Sequence, residues 1–461
     1  MTTTTPSQPV TLQRGGEWLL AATAPPVTFT PERLTEEHRL IAQTVSDFAA
    51  SEVLPVLDRL EDKDWTLARQ LVRRCAELGF LGVEVAEEYG GLDLDKTTSL
   101  VVSERMACTA SFGATFGAHV NLTIVPLSLF GTDEQKHRYL PRLMAGDLIG
   151  AYCLSEPGSG SDALGAKAKA VRQADGSFVL NGEKTWITNG GFADVFIIFA
   201  KVVGESGEHF TAFIVERAFA GVSSGKEEHK MGLHGSSTTP VILQDVRVPA
   251  ENVLGEVGKG HKVAFNVLNF ARFKLGAMCC GGACDSIGEA ARYAAARRQF
   301  GQPIASFGAI KHKLGEMIAR TYAVESAIYR TAGLIDARVA TTPRAASPGD
   351  QSAALDAFEE FAVEASMVKV AASELLDFVL DENIQIHGGN GFVRDYPAER
   401  KYRDSRVNRI FEGTNEINRL LNPGMLARRA AKGQPPLIAA AKALQDELLG
   451  PPSAPPTDVS R

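Results

Sequence analysis

The chain has 461 residues, 44% of them hydrophobic, which is large enough to bury a sizeable core and to divide into more than one soluble, globular domain. Its 48 basic residues against 55 acidic ones give a net charge of −7. That balance argues against nucleic acid as the general partner, because binders of polyanions carry a basic domain or stripe.

The six cysteines lack the spacing of a disulfide scaffold or a zinc site, so a reducing compartment fits them. Cys280 and Cys284 stand four apart with no third Cys or His nearby to complete a tetrahedral set, and they read as small buried apolar residues. No metal is expected. No stretch reaches eighteen apolar residues, and the N-terminus lacks a charged-then-apolar signal pattern, so neither a membrane span nor a secretory signal is expected.

In chain order, residues 1–30 read as a disordered or extended lead, MTTTTPSQPVTLQRGG at its start. Residues 31–147 carry apolar residues at helical spacing, broken by the turn EEYGGLDLD; the last helix of the group has Thr132 or Asp133 as its cap and stops near Gly146. Over 148–254 the period changes to short β-branched and aromatic runs, VFIIFAKV and FTAFIVE among them. Asn-Gly pairs at 181–182 and 189–190 signal hairpins, so an antiparallel β domain is expected. Residues 255–432 return to long helical patterns, three helices and a fourth after Gly413, which suggests a bundle with TTPRAASPGD as a linker. Residues 433–461 read as a short helix and a Pro-rich tail.

Several stretches carry candidate chemistry. In AYCLSEPGSGSDALGAK a strand runs into a loop whose N–H groups and the hydroxyls of Ser155, Ser159 and Ser161 suit an anion or a polar ring; a plain connecting loop reads equally well. Trp186 and Thr188, two apart on a strand in NGEKTWITNGG, are expected to project on the same face and offer an aromatic plane beside a hydroxyl, although β-domain core is the commoner fate of such a pair. GEVGKGHK fails as a phosphate loop because His261 stands where Ser or Thr is required. The run RDYPAERKYRDSRVNR interleaves acids with bases and reads as a salt-bridged helix face. In RIFEGT, Glu412 sits between an aromatic ring and a glycine just before a helix; taken alone it is an acid favoured near a helix N-terminus, with Thr414 as an ordinary N-cap.

Taken together, EEYGG, YCLSEPGSGSD, WITNGG, RRQFG, QIHGGNGF and FEGT, in that order from about Leu34 to Leu421, make the chain resemble the flavin-dependent acyl-CoA dehydrogenases. The resemblance implies a multidomain α+β fold: an N-terminal helical domain, a middle antiparallel β-barrel-like domain and a C-terminal four-helix bundle. It implies FAD as cofactor, with Tyr152, Leu154, Ser155, Gly160 and Ser161 along it and Trp186, Ile187 and Thr188 holding the isoalloxazine. Arg297, Gln299, Phe300, Gln385, Gly388 and Gly389 would meet the adenine and pyrophosphate end of a flavin in a neighbouring subunit, so a homo-oligomer, dimer or tetramer, is implied. Thr414 and Glu416 join the cofactor set, while Ser161, Arg272 and Gly413 meet the substrate.

Glu412 matches the family's catalytic base, and the alternative position on the helix holding NFARF is Ala271, leaving it no rival. A base that takes a weakly acidic α-proton needs a raised pKa, which desolvation beside Phe411 supplies. The implied reaction turns acyl-CoA into trans-2-enoyl-CoA in fatty acid β-oxidation, with electrons passed to an electron-transfer flavoprotein. GAHVNLTIVPLSLFGTDEQK and FGAIKHKL look closest to the very-long-chain branch, although that branch continues into a further C-terminal domain where this chain ends soon after PGMLARRAAKGQPP. The chain is read as a shortened member or a fragment, which leaves peripheral membrane contact open, and as bacterial and cytoplasmic ahead of mitochondrial. An acyl-CoA oxidase is the alternative enzyme, and a DNA-binding or assembly protein on the same scaffold the alternative class. Gly113 and Gly117, i and i+4 on a helix, either open a deep acyl pocket or mark a close helix contact.

Overall fold

The computed structural model describes residues 13–20, 28–205, 207–342 and 351–450. The lead over 1–12, most of the TTPRAASPGD linker and the Pro-rich tail beyond 450 lie outside the described residues.

The first layer is helical: α1 Glu36–Phe48, α2 Trp65–Glu77, α3 Lys96–Met106, α4 Ser111–His119, α5 Val125–Phe130 and α6 Asp133–Met144. Side chains written into the sequence start these helices. Asp64 accepts from Leu67 N and Asp95 from Thr98 N, while Thr132 and Gln135 form a reciprocal capping box on α6. The α4–α5 stretch is apolar and long enough by composition to cross a membrane, yet it is mostly buried inside this fold.

The middle of the chain forms an eight-stranded sheet from β1 Gly150–Cys153, β2 Lys169–Arg172, β3 Phe178–Thr188, β4 Val195–Gly204, β5 Gly207–Glu216, β6 Val222–Ser224, β7 Thr238–Val248 and β8 Val253–Leu254, in the order β6-β7-β3-β2-β4-β5-β8 with β1 on β4. It is mixed rather than antiparallel, because β1 and β2 both run parallel to β4. The reason lies in β4, whose run Val195–Ala200 is fully buried, as a central strand covered on both faces must be. Neither Asn-Gly pair makes a hairpin. Asn181 and Gly182 lie inside β3 at a bulge, where Asn181 exchanges hydrogen bonds with Asp245 and a Cβ at Gly182 would stand 2.6 Å from that of Ala168. Asn189 and Gly190 turn the chain out of β3 toward β4, which is not its neighbour in the sheet.

The bundle contains α7 Gly260–Ala296, α8 Gly308–Thr341, α9 Ser352–Glu360, α10 Ala362–His387 and α12 Asn415–Ala431, with α11 Pro397–Ser405 across one end and α13 Leu437–Leu449 following. Phe270, Phe273, Phe358 and Phe361 fill its centre. The basic run on α11 is ion-paired as its pattern suggests, Arg403 to Glu399 and Lys401 to Asp285. A disordered lead does not describe residues 13–20: Gly15 N donates to Glu360, and Gly16 N and the Trp18 indole both donate to Glu364, which ties this segment to α9 and α10.

Candidate active site

A cavity of about 180 Å³ lies where α4, α7, α11 and the end of β3 meet, and Glu412, Phe411, Thr188, Ala271, Gly113 and Gly117 are among the residues lining it. The two α4 glycines differ in role. A Cβ at Gly113 would press on Met278 Cε at 3.2 Å, so this glycine permits close approach of α7; one at Gly117 would have only Asn121 Nδ2 nearby, at 3.7 Å, so this glycine leaves space in the cavity.

Glu412 has a left-handed backbone, φ 57°, and Gly413 follows at φ 79°. Two consecutive residues in that region form a tight loop that must be held from outside. Arg272 Nε donates to Glu412 O at 3.0 Å, Lys369 Nζ to Gly413 O at 2.8 Å, and Asn418 Nδ2 to Gly413 O at 2.8 Å. Thr414 then caps α12 by accepting from Ile417 N, so the ordinary N-cap reading of Thr414 holds, and Glu412 lies ahead of the helix rather than in its first turn. Gly413 is required by its φ and by the crowding of Asn418 and Arg272, 3.2 and 3.4 Å from where a Cβ would sit.

The residue as a whole is half-buried, open to the cavity, but Glu412 Oε2 is out of solvent and has no hydrogen-bond partner. Burial pushes the carboxyl up to about 7, against the pull of Arg272 and Lys369. Both cations direct hydrogen bonds to backbone carbonyls of the loop, which is why their pull does not prevail. An accessible, apolar-walled carboxylate near neutrality is what a general base for a weakly acidic C–H needs. Lys369 and Asn418 carry no motif. The one signal for Lys369 is a lone cation inside the apolar helical run SMVKVAAS.

The other candidate residues fall into two groups. In the first group, of which only Thr188 lines the cavity, the loop after β1 carries half-buried Leu154 and Ser155 and exposed Gly160 and Ser161; no atom lies within 4 Å of a Cβ at Gly160. Ser159 is spent on the loop itself, its hydroxyl donating to Asp162 O. Tyr152 stands edge-on to Phe199, and its buried hydroxyl has no partner. Trp186 sits at the β3 bulge with φ 60°, so it and Thr188 do not share a face by simple alternation. The indole is 63% exposed rather than core, and Ile187 is the buried one, leaving only its backbone for a ligand. An open indole plane, a nearby hydroxyl and uncrowded glycines suit a flat heterocycle carrying phosphates. The second group, Arg297, Gln299, Phe300, Gln385, Gly388 and Gly389, is exposed at the ends of α7 and α10, and none of it lines the Glu412 cavity. Glu416 is exposed in the first turn of α12.

Family models match over most of the chain: acyl-CoA dehydrogenase N-terminal domain over residues 35–147, middle domain over 151–246 and C-terminal domain over 258–423. The chain is 48% identical over 440 residues to a probable acyl-CoA dehydrogenase of Bacillus subtilis, covering 95% of itself and 73% of that relative. It is 39% identical over 397 residues to the human mitochondrial very long-chain specific acyl-CoA dehydrogenase, covering 84% of itself and 56% of that protein. The crystal structure of an acyl-CoA dehydrogenase complexed with FAD from Bacillus anthracis matches with a TM-score of 0.92 and 50% identity, over 96% of this chain and 76% of that one. With those three domain matches in register and a site that fits the cofactor, the chain belongs to the acyl-CoA dehydrogenase family of FAD-dependent oxidoreductases.

Proposed function

We propose that this protein dehydrogenates fatty acyl-CoA thioesters across the Cα–Cβ bond to trans-2-enoyl-CoA, in fatty acid β-oxidation, with electrons leaving to an electron-transfer flavoprotein. The observation that carries this reading is Glu412, a carboxyl raised to about 7 with a free oxygen at the wall of an apolar cavity. Glu412 removes the α-proton, and its position depends on the hold of Arg272, Lys369 and Asn418 on the loop. The bound FAD supplies the hydride acceptor, held by Trp186, Thr188, Tyr152 and the Ser155–Ser161 loop. Phe300, a member of the second group, and Phe392, three residues after Gly389, stand 92% and 86% exposed, which supports a second copy of the chain covering that face and sharing its flavin. The bacterial cytoplasm is the proposed location.

Anaerobic titration of the FAD-loaded protein with saturated acyl-CoAs from short to very long tests the reading. Bleaching of the flavin band by one chain-length class is the expected result. A flavin that no acyl-CoA reduces refutes it, and stoichiometric oxygen uptake in turnover replaces it with an acyl-CoA oxidase.

A further inference from the structure

The two ends of the Glu412 cavity differ in chemistry. Ala271 marks the reacting end, because the next residue, Arg272, donates to Glu412 O. Asp285 lines the same cavity fourteen residues further along α7, about 21 Å away at 1.5 Å per residue. The opposite wall runs the other way, from Glu412 back through Asn408 and Asp404 to Lys401. Between these ends the lining is small and apolar, with Ala110, Gly113, Gly117, Leu275, Met278 and Gly282.

At the far end Lys401 Nζ donates to Asp285 Oδ2 at 2.6 Å and to Glu289 Oε2 at 2.5 Å. The Asp285 and Lys401 side chains keep 34% and 22% of their exposure, so the pair has one face in the cavity and one in solvent. Asp404, one turn from Lys401 on α11, also lines the cavity; its Oδ1 accepts from Leu233 N, and its buried Oδ2 has no partner. Asp285 and Glu289 thus share a single ammonium, while Asp404, one turn away, lies among Glu61, Arg403 and Arg400 and keeps an oxygen without a partner.

That balance discriminates between chain ends. A methyl terminus pushed against the cluster removes water from charged groups and returns no hydrogen bond. A terminal carboxylate meets an excess of like charge. A terminal hydroxyl can donate to a carboxylate oxygen. Resting on the acyl-CoA reading above, we propose that Asp285, Lys401 and Asp404 form a distal subsite that favours long acyl chains ending in an uncharged hydroxyl over matched methyl chains and excludes chains ending in a carboxylate.

The test uses the full FAD-loaded protein and acyl-CoAs of matched length ending in methyl, hydroxyl or carboxylate, from medium to very long. Flavin reduction gives kcat/KM, and calorimetry gives the affinity for each enoyl product. Among chains long enough to reach Asp285, the hydroxyl form is expected to exceed the methyl form roughly tenfold, and the preference should reverse among medium chains that end in the apolar stretch. Asp285→Asn should raise the carboxylate-to-methyl ratio roughly tenfold, and Asp404→Asn should do so if Asp285→Asn fails to fold, with FAD content marking the folded protein. A hydroxyl-to-methyl ratio that stays below one at every length overturns the subsite while leaving the dehydrogenase reading intact. If no acyl-CoA of any ending reduces the flavin, both fall.

Discussion

Two glutamates, Glu84 buried and Glu412 half-buried, show how this fold sets carboxylate chemistry by what it does with nearby cations. Glu84 is buried against Lys274 Nζ at 3.1 Å and Lys96 Nζ at 3.9 Å, and although burial pushes its pKa up, the two ammonium groups outweigh burial and hold it below the ordinary value. Glu412 also has two cations in its surroundings, yet these are engaged by the carbonyls of its own loop, and burial wins. Position in the interior does not by itself decide protonation; the direction of the neighbouring hydrogen bonds does. One carboxylate is a structural cross-link between the first helical layer and α7, and the other is the proposed base, with its carboxyl near neutrality.

The largest effect should come from removing the proposed base. Glu412→Gln keeps the shape and the backbone contacts of Arg272 and Lys369 but should lower the rate of flavin reduction by roughly 10²–10⁴ or more. FAD content of the purified protein should be unchanged, and near-normal reduction would break the comparison at its functional side. The matching change, Glu84→Gln, strands two buried ammonium groups and should cost about 3–5 kcal/mol of stability, read from chemical denaturation. A loss below about 1 kcal/mol would mean that the Lys274 and Lys96 contacts contribute little.

The pH dependence of the two carboxyls should run in opposite directions. Glu412 titrates at about 7 when folded and at 4.5 when free, so between those values the folded state keeps a proton that the unfolded chain gives up. Its contribution to stability is therefore full below 4.5 and is lost as pH rises toward 7, by about 3 kcal/mol. Glu84, lowered in the fold, contributes stability above its free value and loses it as pH falls. Denaturation of the native protein and of Glu412→Gln at pH 5 and pH 8 isolates the first effect: the stability difference between the two proteins should change across that interval. Over the same range kcat/KM of the native protein should climb through pH 7, since only the ionised base accepts a proton. A flat profile would place the base elsewhere.

Much of this was readable along the chain, and the exceptions share a cause. Helix caps such as Asp64, Asp95 and Thr132 act within three residues, so local sequence contains both partners. The run of six buried residues in β4 likewise marks a central strand from its own composition. Asn181-Gly182 misleads because turns and bulges draw on the same residues, and only the neighbouring β2 segment and Asp245, 64 residues away, make it a bulge. The FEGT motif identifies Glu412, but the groups that hold its loop stand elsewhere, Arg272 140 residues before the base and Lys369 44 residues before Gly413, and no spacing rule reaches them. The left-handed backbone at Trp186 and Glu412 is likewise imposed by tertiary contacts, since neither residue type prefers it.

The finest test concerns Thr414, which connects the base's loop to α12. Its hydroxyl oxygen accepts from Ile417 N, and its hydroxyl proton goes to the exposed Glu416 carboxylate, a partner that a cofactor group could replace. Thr414→Val removes the hydroxyl without changing the side chain's volume appreciably, and loss of the cap should cost about 1 kcal/mol in FAD-free protein. If the same hydroxyl also meets the cofactor, the FAD-loaded protein should lose more than the FAD-free protein, because ligand affinity adds to the apparent stability of the folded state. The larger loss in the loaded protein is the expected result. Equal losses in the two forms would confine Thr414 to the helix cap, and then the loop that carries Glu412 would be tethered to the bundle alone, with the cofactor taking no part in holding the base in place.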